Sequence, residues 1–215
     1  MAGTTNAPDF TLRAENAALL VVDLQRGFCE RALAESLGQP ETEHYWDRVE
    51  KTVLPNAERL IGAARHAKIE VLYTVIEALT LDGRDRSLDH KRCNMLIPKG
   101  SEGGQVMPAL APADDEILLP KSASGIFNAT NIEYVLRNLG VERLAIFGVL
   151  TNQCVESAVR DAADRGFLVT MVADACATKS PEEEAASLAV MKGYARIAET
   201  AELLEEMGAR GASAA

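Results

Sequence analysis

Short apolar runs alternate along the chain with segments in which apolar residues recur at helical spacing. The runs are Ala17 to Val22, Glu70 to Val75, Glu116 to Leu119, Leu144 to Val149 and Leu168 to Ala173. Each has the length of a strand, and their near-continuous apolar character suits strands covered on both faces of a parallel sheet. Between them Ala57, Leu60, Ile61 and Ala64 follow i, i+3, i+4, i+7 spacing, as do Ile132, Val135, Leu136 and Leu139, then Val155, Ala158, Val159 and Ala162. Each set forms one buried helical stripe. The alternation predicts an α/β fold in three layers, α/β/α. Thr130 and Glu133 have capping-box spacing ahead of the second helix, and Gly140 and Gly166 stand where the second and third helices should end. Beyond Ala173 the pattern predicts a helix from Pro181 to Met191, a short strand near Ala195 to Ile197, and a last helix led by Thr200.

Two stretches lack a clean period. Glu30 to Tyr45 and Leu79 to Gln105 are rich in charge and glycine and read as loops or lids. Loops on the carboxyl side of a parallel sheet are where ligands bind.

Composition narrows the function. No Pro/Gly/Ser-rich linker divides the 215 residues, so a single domain over 1–215 is expected, with a frayed small-residue tail from Gly208 to Ala215. The 22 Lys and Arg against 32 Asp and Glu give a net charge of −10, which repels phosphate backbones and anionic membrane surfaces. Nucleic acid and membrane partners are therefore not expected. The start, MAGTTNAPDF, has neither a basic region nor an apolar core, and no apolar run approaches a bilayer span, so a cytoplasmic location is expected. Cys29, Cys93, Cys154 and Cys176 form no C-x-x-C pair and read as free thiols.

Three polar residues stand at the carboxyl ends of strands. Asp23 follows ALLVV, Lys121 follows EILLP, and Cys154 lies in the turn GVLTNQC after LAIFGV. In a parallel sheet these ends open onto one edge, and neighbouring strands lie about 4.8 Å apart, so the side chains can converge. The stripe after Cys154 places the cysteine at a helix start. A helix N-terminus and a nearby ammonium both favour thiolate, the attacking species.

These residues lie in LLVVDLQRGFC at 19–29, LPKSASGIF at 119–127 and GVLTNQCVESAVRDAADRG at 148–166, and the three segments together resemble the isochorismatase-like cysteine hydrolase superfamily. That superfamily includes nicotinamidases, N-carbamoylsarcosine amidohydrolases, and biuret and ureidoacrylate hydrolases. The resemblance implies a Rossmann-like six-stranded parallel sheet in the order 3-2-1-4-5-6. It also implies Asp23 as proton shuttle, Lys121 as cationic helper, Cys154 as nucleophile, a non-proline cis peptide between Val149 and Leu150, and an oxyanion hole from the Leu150 and Cys154 amides. The expected activity is hydrolysis of a C–N bond in a small amide or ureido substrate through a thioester, in a homo-oligomer, dimer or tetramer, without a cofactor.

The chain departs from the nicotinamidase pattern. Those enzymes carry an Asp-x-His pair and a second His for a metal, whereas TVIEALTLDGRDRS after the second strand has no histidine, and His44, His66 and His90 are scattered. No metal is expected. Glu77 could accept hydrogen bonds from a substrate –NH₂ or be a solvated loop acid. Arg84 and Arg86 could clamp a substrate carboxylate or form a solvated lid face, and Phe127 could line the pocket or anchor its loop in the core.

Three other readings carry less of the sequence. Vinyl-ether hydrolysis of the isochorismatase type needs Asp and Lys but no cysteine nucleophile. A dinucleotide-binding module needs G-x-G-x-x-G where this chain has DLQRGF. A catalytically silent member would be expected to have lost at least one of the three residues.

Overall fold

The computed structural model of the protein describes residues 8–39, 41–113 and 115–208. The tail expected to fray lies beyond Gly208, outside the described residues. Strands β1 (Ala17–Val22), β2 (Glu70–Ile76), β3 (Ile117–Lys121), β4 (Arg143–Val149), β5 (Leu168–Ala177) and β6 (Arg196–Ala198) pair in parallel in the order β3-β2-β1-β4-β5-β6. This is the expected topology. Position in the sheet explains each strand's sequence. Central β1, AALLVV, is buried at every position, whereas edge strand β3 alternates half-buried with exposed residues and accommodates Pro120, which has no N–H for a further ladder.

Five helices make the outer layers: α1 (Leu54–His66), α2 (Ile132–Asn138), α3 (Glu156–Asp164), α4 (Pro181–Met191) and α5 (Thr200–Gly208). Helix α1 packs on α5 and the central strands, and α3 packs on β5 and α4. Two predicted stripes are buried faces, with Ala57, Leu60, Ile61 and Ala64 under α1 and Ala158, Val159 and Ala162 under α3, whereas in the stripe of α2 Ile132 and Leu136 are buried, Val135 is half-buried and Leu139 is exposed. Gly140 and Gly166 have φ of +71° and +84°, the left-handed conformation that closes a helix without a Cβ penalty.

Local expectations needed correction at several points. The Thr130–Glu133 capping box does not form. Thr130 instead donates to Ile126 O at 2.8 Å and accepts from Ile132 N at 3.1 Å, and Glu133 turns outward to Arg165 at 3.0 Å. Strand β5 runs four residues beyond the apolar run, to Ala177. The segment 30–45 is partly helical, over Arg31–Ser36 and the start of Glu43–Arg48. Segment 79–105 is mostly loop, with a short helix at Leu88–Arg92.

Candidate active site

The carboxyl ends of β1, β3 and β4 bring Asp23, Lys121 and Cys154 together. Asp23 follows β1 with φ of +54°, a conformation that Asp tolerates better than most residues, and its N–H continues the ladder to Thr74 O at 3.0 Å. Lys121 is the last residue of β3, fully buried, and its stem crosses the end of β2. Cys154 lies in a π-helical turn, Thr151–Val155, that leads directly into α3, so the helix starts three residues before the cysteine rather than at it. The peptide bond between Val149 and Leu150, ahead of this turn, is cis.

Gly148 sets the approach of β4 to β1. Its φ is +135°, and a Cβ there would stand 2.0 Å from Val22 O. Only glycine allows the end of β4 to lie so close to the residue preceding Asp23. The turn that carries Cys154 is thereby delivered beside Asp23.

The Lys121 ammonium stands 2.8 Å from Asp23 Oδ2 and donates to Cys154 Sγ at 3.4 Å and to Ala123 O at 3.1 Å. Thr74 donates its hydroxyl to Asp23 Oδ1 at 2.9 Å. Oδ2 faces the ammonium as an ion-pair partner yet has no hydrogen-bond donor in line, which leaves an acceptor position open beside the thiol. The pair is wholly buried, so its attraction is little screened. Burial alone would lower the Lys121 pKa, but Asp23 and Cys154 outweigh it and hold the ammonium above its usual range. At Cys154 burial dominates and Asp23 adds to it, while Lys121 pulls the other way, and the thiol is pushed up to about 12. Dehydration thus opposes the helix start and the ammonium, both of which favour thiolate.

Above Asp23 and Cys154 lies a cavity walled by Phe28, Gln39, Glu41, Tyr45, Ile76 and Met95 on one side and the Val149–Cys154 turn on the other. It opens toward a second hollow that shares Gln39, Glu41, Met95, Leu150 and Gln153 and adds His90, Ser124 and Lys179. Among the described residues, none of Glu77, Arg84, Arg86 and Phe127 lines either space. The Glu77 carboxylate lies against Gly104, where a Cβ would meet its Oε2 at 2.4 Å. Arg84 pairs with Asp82 at 3.0 Å on the surface. Arg86 donates to the Gly83 and Met95 carbonyls and so fastens its own loop. Phe127 packs on Phe167 with ring centroids 6.3 Å apart, under the Arg165 guanidinium. Arg84 is thus a solvated surface residue and Phe127 an anchor in the core, whereas Glu77 and Arg86 are partly buried and hold their loops, a role that periodicity could not reveal.

The sequence reading also passed over residues that build the site. Gln25, fully buried, donates to Ile76 O at 2.9 Å and Gly103 O at 2.8 Å and accepts from Ile76 N at 2.7 Å, joining the ends of β1 and β2 to the 79–105 loop. Its signal was a polar side chain two positions after Asp23. Thr74 was visible as the one aliphatic hydroxyl in the run EVLYTVI. Gln39 and Glu41 gave no signal, because their segment has no period.

The family model described as "Isochorismatase domain" matches residues 17–202, across all six strands. The chain belongs to the isochorismatase family. Among curated members it is 30% identical to a probable inactive nicotinamidase of Arabidopsis thaliana, over 84% of this chain and 90% of that one. It is 28% identical to a ureidoacrylate amidohydrolase of Rhizobium rhizogenes, over 80% of this chain and 74% of the relative. The structure of a cysteine hydrolase from Pseudomonas syringae superposes with a TM-score of 0.81 at 23% identity, covering 96% of this chain and 99% of that one, which establishes a shared fold. Among the described residues of this isochorismatase-family chain, no three His, Cys, Asp or Glu side chains gather as metal ligands. No helix among those residues is long and apolar enough to cross a membrane.

Proposed function

We propose that this isochorismatase-family protein is a cysteine hydrolase that cleaves a C–N bond of a small amide or ureido compound, with Cys154 as nucleophile. The observation that carries the reading is the buried contact of Asp23, Lys121 and Cys154 at the base of one cavity. Kinship with a ureidoacrylate amidohydrolase supports the substrate class.

Asp23 takes the proton of the Cys154 thiol through its open Oδ2 as sulfur attacks the carbonyl carbon. A thiol with a pKa near 12 is strongly nucleophilic once deprotonated, and transfer coupled to attack avoids a free thiolate in a dry site. Negative charge then develops on the carbonyl oxygen, where the Leu150 and Cys154 amides would receive it. Asp23 returns the proton to the departing nitrogen, and the C–N bond breaks to leave a thioester. Water, deprotonated by Asp23, attacks that thioester and releases the acid and the thiol. Lys121 orients the Asp23 side chain and supplies a fixed positive charge beside it. Each step leaves the pair of Lys121 and Asp23 either neutral overall or singly positive, so no isolated anion is created in the buried site.

Ammonia release from a panel of small primary amides and ureido compounds tests the proposal. Turnover is expected in the native protein, with loss of at least about a thousandfold in Cys154→Ala and Cys154→Ser. Turnover retained in Cys154→Ala would refute the nucleophile and favour a reaction that needs only the acid and the lysine.

A further inference from the structure

The cavity over Cys154 is walled by two carboxylates, Asp23 and Glu41, and two carboxamides, Gln39 and Gln153, with no arginine among the described residues. The Asp23 charge is balanced inside the site by Lys121 at 2.8 Å. Glu41 is balanced less completely. Its side chain is 15% exposed, and its Oε2 is the oxygen that faces a cation. The cation beside it, Lys179, stands 3.4 Å away with 44% of its side chain exposed to solvent. An exposed ammonium keeps most of its hydration and is screened, so it balances a half-buried carboxylate only in part. Burial, opposed by Lys179, holds the Glu41 carboxyl above the usual range.

We propose that Glu41 selects substrates whose end remote from the scissile carbonyl is a hydrogen-bond donor, neutral or cationic, and rejects those that end in a carboxylate. This rests on Cys154 acting at the base of the same cavity. An amino, ammonium or terminal ureido –NH₂ group would give the Glu41 carboxylate a donor from the cavity side, beside Lys179. Gln39 and Gln153, each able to donate and accept, would adapt to the rest of the ligand. A substrate carboxylate would instead meet a second carboxylate in a partly dehydrated space, with Arg84 and Arg86 committed elsewhere and unable to clamp it.

Thiol reagents of different charge test this without knowledge of the substrate. Aminoethyl, methyl and sulfonatoethyl methanethiosulfonates each transfer their thioalkyl group to sulfur and expel methanesulfinate, so they differ mainly in the charge carried into the cavity. Rates at Cys154 are followed at pH 7 by peptide mass spectrometry in the full chain with exposed Cys93 replaced, Cys93→Ser. Dividing by rates on a small free thiol removes reagent reactivity, and ratios between reagents cancel the ionisation of Cys154. The normalised aminoethyl rate should exceed the sulfonatoethyl rate by about tenfold or more. Glu41→Gln, which keeps the shape, should cut that ratio at least about threefold, and Glu41→Lys should invert it. Lys179→Met should leave the order unchanged. A ratio indifferent to Glu41→Gln would overturn the inference. So would a sulfonatoethyl preference lost in Lys179→Met, which would make Lys179 a carboxylate anchor. Amide turnover that persists in Cys154→Ala is a different failure: it removes the reading of the site on which this inference stands, and the inference with it.

Discussion

Thr151 donates its hydroxyl to Glu184 Oε1 at 2.9 Å, and this buried bond ties the turn that carries Cys154 to helix α4. The other carboxylate oxygen accepts from Thr178 N at 3.1 Å and faces the Arg48 guanidinium at 3.6 Å. Burial raises the Glu184 pKa against the pull of Arg48, the Thr151 hydroxyl and the Thr178 amide. Glu184→Gln exchanges one acceptor oxygen for a donor and leaves one of these groups unmatched. The expected effect is a loss of about 1–3 kcal/mol in denaturant unfolding, with kcat falling more than KM rises because the turn shifts. An unchanged kcat would show that the turn keeps its place without this tie.

Gly148 should be irreplaceable. With φ at +135° and Val22 O at 2.0 Å from a Cβ position, Gly148→Ala must part β4 from β1. A destabilisation of at least about 3 kcal/mol is expected, read from the urea midpoint at constant m. A cost below about 1 kcal/mol would mean that the strand ends separate freely.

Lys121 and Asp23 should behave as a unit. Lys121→Met strands a buried carboxylate and should cost about 3–5 kcal/mol, whereas Lys121→Met combined with Asp23→Asn should recover much of it. Activity should be absent from both proteins. A double variant as unstable as the single one would argue against charge stranding as the cause.

Alkaline stability should fall as buried thiols ionise. The Cys29 and Cys154 thiols are both pushed from 9.0 to about 12, chiefly by burial, so the folded state holds protons that the unfolded chain has released. Their stabilisation is fully present below pH 9 and is lost as pH rises from 9 toward 12. Each thiol contributes a slope approaching about 1.4 kcal/mol per pH unit in that window. Cys29→Ala should flatten the measured slope by about that amount, and an unaltered slope would show that Cys29 does not titrate there.

Much of this was legible before any coordinates. Apolar runs located the strands because parallel strands buried on both faces leave little room for polar residues, and Asp23, Lys121 and Cys154 stood out as polar exceptions at their ends. What escaped reading depends on contacts between distant segments. Glu41 and Gln39 reach the cavity from a segment without periodicity, and only tertiary packing directs them inward. Arg86 carries the charge that suits a substrate clamp, yet nearby carbonyls claim it. Dehydration of Cys154, which raises its pKa against the ammonium, is likewise invisible in a helix pattern.

The central claim is that Cys154 carries the acyl group during turnover. Rapid acid quenching of the protein with a hydrolysable amide, followed by mass spectrometry of the intact chain and its peptides, tests it most directly. The account predicts a mass increase equal to the acyl group, confined to the peptide bearing Cys154, labile to hydroxylamine and absent from Cys154→Ala. Steady turnover by a Cys154→Ala protein, with no adduct on any peptide of the native chain, would contradict it.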